Sequence, residues 1–263
     1  MNREAALAFV RSEGSRVERA RLTCLLDNSP ASPHVVRDLL ADQRADGGWA
    51  PFWASEYSSL DATCFGLARA EQLGLTPSDD ACAKAARFLA QRQRPDGSWE
   101  EDESIASVVP PWVAPGRVAS RLYLTANCGY WLAILSGEGT GPRAAGRFLE
   151  THLDESGRLP ASWQAHWLAG SLWHRLNWQA AARRVLARVD RHLSDLPASN
   201  LAWLISALHG VGVSASHPLL GRAATLLERR QASDGRWVSE DGPEWDAHAT
   251  VEALRALRLC RRF

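Results

Sequence analysis

Charge of either sign in excess is missing from the chain: 30 basic and 30 acidic residues cancel, which excludes an electrostatic nucleic-acid binder. Lysine is almost absent, Lys84 being the only one; arginine for lysine, with abundant alanine, reflects a GC-rich coding sequence rather than a mechanism. Cys24, Cys64, Cys82, Cys128 and Cys260 are odd in number and form no CxxC pair, so neither a disulfide framework nor a zinc ribbon is expected. A reduced, cytoplasmic setting fits that usage. No stretch is apolar for long enough to span a bilayer, and charges break up the apolar run of the opening MNREAALAFVRSEG, unlike a signal peptide. β-Branched runs of alternating polarity are nearly missing, which argues against a sheet.

What is present is helical periodicity and twelve tryptophans, a number of large rings that calls for a core or a cavity. The pattern predicts helices over about 2–12, 15–26, 32–44, 57–73, 77–93, 118–136, 141–153, 160–174, 177–193, 197–211, 215–231 and 243–261. Glycine and proline breakers such as Gly14, Pro33, Pro160, Pro197 and Pro243 separate them. Three odd-numbered helices end alike, in QRADGGW (Gln43–Trp49), QRPDGSW (Gln93–Trp99) and QASDGRW (Gln231–Trp237). Glycine just past a helix end supplies the left-handed backbone that releases the last carbonyls, while Trp plugs the terminus and Gln bonds freed backbone groups. A worn copy, LDESGRL, ends at Leu159 without the Gln and the Trp.

The even-numbered helices also repeat. A short polar residue stands near each start, Asp61, Asn127, Asn200 and Asp246, and a small-apolar pair follows about two turns later. Helical hairpins repeated in this way are the signature of a solenoid or closed array, and six of them suit an all-α, (α/α)6 toroid formed by a single domain, 1–263.

The Gln-x-x-Asp-Gly-x-Trp endings after RFL or LL resemble the QW repeat of the terpenoid cyclase and prenyltransferase superfamily, which includes the squalene-hopene cyclases. The resemblance runs from about Ser32 to the end. It implies a toroid whose central cavity holds a linear isoprenoid, with Trp49, Trp99 and Trp237 as structural ties outside the active site. It also implies an acid, the middle Asp of a DxDD motif, which this sequence lacks. The spacing puts the motif's last Asp on Asp246 or Asp61 and leaves Trp245 or Leu60 in the acid's place. Prenyltransferase β subunits, a second relative, need a zinc held by Asp, Cys and His; Asp61, Cys64 and His248 match that set poorly in spacing, and no metal is expected.

Protonating an alkene requires a desolvated carboxylic acid and aromatic faces for the resulting cation. Asp61 and Asp246 are the candidate acids, with helix capping as their plainer role; flanking His248 and Trp245 make Asp246 the stronger of the two. Tyr130, Trp131, Trp163, Trp167, Trp203 and Trp245, with His248, Asn127 and Asn200, are the candidate lining of the isoprenoid site. Among the histidines, His166 and His248 are expected to point inward. The acidic run Glu100–Glu103 lies in a long connection, where it offers a further acid or, for a diphosphate substrate, a place for Mg²⁺. Arg117 and Arg121, at the start of the next helix, are candidate phosphate ligands. No cofactor is required by the chemistry itself. The expected partner is a small isoprenoid, with peripheral membrane contact as a means of collecting it. Two other classes compete: a non-catalytic binding protein, and an (α/α)6 glycoside hydrolase with two opposed carboxylates.

Overall fold

A computed structural model describes all 263 residues. It contains twelve α-helices and no strand, only isolated bridges at Gln43–Trp49 and Trp49–Ser59, so the all-α class and the helix count expected from the sequence are both observed. The helices are α1 (Arg3–Glu13), α2 (Arg16–Asp27), α3 (Pro33–Leu40), α4 (Leu60–Gln72), α5 (Asp80–Arg92) and α6 (Val118–Ser136). They continue with α7 (Thr140–Glu150), α8 (Trp163–Arg175), α9 (Gln179–Arg191), α10 (Ala198–Gly210), α11 (Pro218–Arg229) and α12 (Asp246–Leu259). Five starts, those of α4, α5, α8, α11 and α12, fall three residues later than periodicity predicts, and three of them have a local cause. Ser59 is held by its bridge to Trp49, Ser162 is the N-cap of α8, and Pro243–Trp245 forms a separate 3₁₀ turn before α12.

The chain divides into two compact units. Unit 1 comprises Met1–Val36, Gln72–Gly74 and Asp190–Phe263, and unit 2 comprises Arg37–Glu71 and Leu75–Val189. In unit 2, α6 packs against α5, α7 and α8; in unit 1, α12 packs against α1, α2, α10 and α11. The odd helices are amphipathic: α11 buries Leu219, Leu220, Ala223, Ala224 and Leu227, the i, i+3/i+4 stripe of a helix wet on one side. By contrast, α6 is buried continuously from Leu122 to Ala133 and α8 from Ala165 to Trp173, as expected of helices covered on most sides.

The recurrent endings do one mechanical job. Each Trp indole N–H donates to the carbonyl ten residues earlier: Trp49 to Leu39, Trp99 to Leu89 and Trp237 to Leu227. This satisfies a helix-end carbonyl that has no partner within its helix. Each Gln side-chain amide bridges its own turn and the start of another odd helix. Gln43 donates to Gly47 and Ala81, Gln93 to Gly97 and Gly141, and Gln231 to Gly235 and Asn2. The Gly97 turn requires glycine twice over, because φ is +89° and an added Cβ would lie 2.5 Å from the Ala144 carbonyl oxygen. All three Trp rings are buried, so their expected structural role is the observed one.

Candidate functional site

The same turns set the register of the even helices. The Trp49, Trp99 and Trp237 backbone N–H groups donate to the hydroxyls of Thr63, Thr125 and Thr250 at 2.9, 3.0 and 3.0 Å. Each hydroxyl donates in turn to the carbonyl four residues before it, on Ser59, Arg121 and Asp246. In the worn copy a histidine takes over: the Leu159 N–H donates to His166 Nε2 at 3.0 Å, and His166 Nδ1 lies 2.9 Å from the Ser162 carbonyl. Its pKa is lowered, chiefly by burial, as suits a neutral ring that accepts at Nε2 and donates at Nδ1.

These bonds correct the alignment drawn from the small-apolar pairs. Asp246 matches Ser59 and Arg121, not Asp61. Two residues before each tie stand Asp61, Tyr123, Gln164 and His248, and two residues after it stand Phe65, Asn127, Leu168 and Glu252. Side chains two before and two after the tie share a helix face, being four apart.

In unit 2 this face assembles around Asp61. Its Oδ1 accepts from the Tyr123 hydroxyl at 2.6 Å, and its Oδ2 accepts from the Trp112 indole N–H at 3.3 Å. Asn127 Nδ2 donates to the Tyr123 oxygen at 3.4 Å. Burial raises the Asp61 pKa, and the Tyr123 and Trp112 bonds oppose that rise. The Tyr123 hydroxyl is itself pushed well above its usual value, first by burial and then by Asp61. Although it lies deep within its unit, Asp61 keeps part of its surface accessible. Phe65, one turn along, is 39% exposed, and the Arg69 guanidinium stands 5.3 Å from its ring centroid. On the opposite face of α4, Gly66 abuts the Trp49 ring.

Beneath the start of α4 lies Glu101, from the acidic run. Its Oε1 accepts from Ser59 Oγ at 2.7 Å and Leu60 N at 2.9 Å, with Asp61 N at 3.4 Å; its Oε2 accepts from the Tyr57 hydroxyl at 3.0 Å. Burial pushes Glu101 up to about 7 and the Tyr57 hydroxyl up to about 12. The rest of the run is dispersed. Glu100 pairs with Arg94 and accepts from Gly116 N, while Asp102 accepts from Ser104 N. No group of three or more His, Cys, Asp or Glu side chains is placed to hold a metal ion. Cys64 faces Cys128, the sulfurs 3.9 Å apart, rather than a ligand set with Asp61.

Asp246 is a tie. Its Oδ1 accepts from Ser239 N at 2.7 Å, its Oδ2 lies 3.3 Å from Arg236 Nε, and the side chain is buried. A cleft of about 410 Å³ beside it is lined by Phe9, Glu13, Arg236, Pro243, Glu244 and Ala247, with Asp246 at its wall. Arg121 turns toward a Gln…Trp turn, 3.6 Å from Asp96 and with its guanidinium over Phe148, and Arg117 is exposed at the start of α6. Tyr130 and Trp131 are buried edge to face with centroids 5.3 Å apart, and Trp167 is fully buried. Trp163 is half-buried with Arg188 over its ring.

Unit 1 places His248 and Trp245 together, edge to face at 5.8 Å, with Trp203 and Asn200 half-buried on α10. His248 Nδ1 lies 2.9 Å from an Arg21 nitrogen. Arg21 is buried and also bonds Gln72 and Glu252, with Glu18 3.5 Å away. Although burial opposes it, that cation draws Glu252 down to about 2, and burial and Arg21 lower the His248 pKa.

No family model and no curated protein matches the chain by sequence. Solved structures do match by fold. A protein from Actinoplanes is similar at 19% identity and TM-score 0.59, over 93% of this chain and 89% of that one. The type II terpene cyclase MstE from Scytonema is similar in an Asp-to-Ala variant holding merosterolic acid A, its product. That match has 15% identity and TM-score 0.58, over 94% of this chain and 86% of that one. An Asp-to-Asn variant of MstE holding its substrate, geranylgeranyl dihydroxybenzoate, is similar at 14% identity and TM-score 0.57, over 94% of this chain and 87% of that one. These likenesses show the fold: the all-α array of helical hairpins expected from the sequence is that of a type II terpene cyclase.

Proposed function

We propose that the protein binds a linear isoprenoid and cyclises it by protonation, with Asp61 as the acid. The observation that carries this reading is the environment of Asp61. It is a carboxyl whose pKa is raised by burial, it keeps accessible surface on a helix face shared with Phe65, and two donors fix its orientation. Oδ1 takes the short Tyr123 bond at 2.6 Å and Oδ2 only the long Trp112 bond at 3.3 Å, so the acid proton is assigned to Oδ2, which keeps a lone pair for Trp112. In the initiating step the Oδ2–H bond breaks, the alkene π pair forms a new C–H bond, and a carbocation remains beside the partly exposed ring of Phe65, on the face away from Arg69. Ring closure consumes further π pairs, and loss of a proton or capture of water ends the sequence. The proton transfer itself calls for no metal; Mg²⁺ would enter as the counter-ion of a diphosphate substrate.

Asp246 supports this step less well, because its side chain is buried and faces a cation, Arg236 Nε at 3.3 Å, whereas Asp61 meets only neutral donors and keeps accessible surface. A glycosidase is also disfavoured, since Glu101, the carboxyl nearest Asp61, is buried and accepts from Ser59, Leu60 and Tyr57 rather than opening to a sugar. The test is incubation with farnesyl and geranylgeranyl diphosphates, squalene and a geranylgeranylated hydroxybenzoate, each with and without Mg²⁺, followed by product analysis. Cyclic products that vanish in Asp61→Asn support the reading. Products that persist in Asp61→Asn refute Asp61 as the acid, and their absence from every substrate refutes cyclisation and leaves a binding protein.

A further inference from the structure

Glu101 is the one member of the acidic run that is buried, and it comes from a different hairpin than the helix it serves. An ordinary N-cap would be supplied by the residue before the helix; here Ser59 holds that place and Glu101 sits beneath it, bonded to Ser59 Oγ and Leu60 N. Two carboxyls thus share the first turn of α4. We propose that Glu101 is a positioning residue for Asp61, its carboxylate at the start of α4 keeping Asp61 in the proton-bearing form that alkene protonation needs. This rests on the reading of Asp61 as the acid.

Burial is the largest influence on both carboxyls, and charge adds to it, Asp61 being among the causes that raise Glu101. Carboxyls crowded into a desolvated site do not ionise together, so the pair retains a proton to higher pH than either would alone. No cation on the surrounding elements is committed to the pair. On α5, Arg92 lies 3.6 Å from Asp46 and over the Phe88 ring; beyond it Arg94 pairs with Glu100, on α6 Arg121 faces Asp96, and on α4 Arg69 stands over Phe65. The other titratable groups facing the pair are Tyr57 from the preceding turn, Cys64 on α4, and Tyr123 and Cys128 on α6. All are pushed upward in pKa, chiefly by burial, and stay neutral. Asp102, exposed beside Tyr57, is lowered by Ser104 and stays ionised. The site therefore gathers two carboxyls among neutral phenols and thiols.

The test is carbon-13 NMR titration of the full-length protein with labelled Asp and Glu carboxyls, the Asp61 resonance being assigned by its loss in Asp61→Asn. Glu101→Gln keeps an acceptor for Leu60 N and Ser59 Oγ but removes the charge. The Asp61 midpoint is expected to fall by roughly one pH unit. Coupling is reciprocal, so Asp61→Asn lowers the Glu101 midpoint from about 7. An unmoved Asp61 midpoint in folded Glu101→Gln overturns the proposal; should that variant not fold, an unmoved Glu101 midpoint in Asp61→Asn does so. Product analysis stands apart: coupled midpoints with no cyclic product sink the cyclase reading and leave the pairing of the two carboxyls intact.

Discussion

Helices α4 and α12 hold their preceding turns by the same threonine bond and then carry opposite electrostatics. In unit 1 the face of α12 presents His248 and Glu252 to the buried guanidinium of Arg21, and Glu252 stays charged. In unit 2 the face of α4 presents Asp61 and Phe65, with Glu101 in place of a cation, and the carboxyls are driven toward their neutral forms. One arrangement secures charge and the other withholds it. Only the second can supply a proton, which is why the proposed chemistry is assigned to α4 although α12 offers more polar side chains.

The largest effect that would break this contrast is on turnover. Asp61→Asn is expected to lower cyclisation by roughly 10³-fold or more, while Asp246→Asn, which alters a tie, retains it. A folded Asp246→Asn without activity would move the acid to the other unit. Next in size is the charge network of unit 1. Arg21→Met leaves Glu252 and Glu18 without their cation and should cost about 3–5 kcal/mol in urea unfolding. Adding Glu252→Met should restore part of that loss, and no restoration would mean that Arg21 acts through packing alone. Smaller still, Thr63→Val and Thr250→Val each strip a buried Trp N–H of its acceptor, at about 1–3 kcal/mol. Similar losses confirm a common scaffold; strongly unequal ones would show that the two turns only look alike.

The smallest effect sharpens the electrostatic contrast through pH. Glu101 binds its proton more tightly folded than unfolded. Its stabilisation is therefore complete below its ordinary value of 4.5 and is lost as pH rises toward about 7. Glu252 has the opposite sign: its stabilisation is present above 4.5 and is lost as pH falls toward about 2. Melting temperatures against pH should show Glu101→Gln flattening the neutral side and Glu252→Gln flattening the acid side. The same limb flattening in both variants would dissolve the distinction between the units.

Much of the fold is legible in the sequence because its signals are local. The amphipathic odd helices can be read from spacing alone, and the structure places them close to where spacing puts them; Gly47, Gly97 and Gly235, expected just past the helix ends, instead lie five to seven residues beyond them, in the tight turns that carry the Trp residues. The site is legible only in part. Asp61 is among the candidates, but alignment through the small-apolar pairs makes Asp246 its counterpart, whereas the true register is set by a threonine hydroxyl that those pairs do not track. His166 reads as an inward-pointing ring because it stands among tryptophans on its helix, whereas the structure engages both its nitrogens at the turn that has lost its Trp. Glu101 cannot be singled out from four consecutive acids, since its partners Ser59 and Leu60 are forty-odd residues distant. One clue is available: it stands two residues after Trp99, as Ser239, which donates to Asp246, stands after Trp237.

The residue two places before each tie is Asp, Tyr, Gln or His, and none of the bonds that hold the turn passes through its side chain. The Gln, Gly, Trp and Thr positions carry the stability of the hairpin, while the position nearby holds an acid, a phenol, an amide or an imidazole in the four repeats of this one chain. A fold built in this way separates what holds a hairpin from what its inner face can offer, so the chemistry of that face can change without disturbing the hairpin.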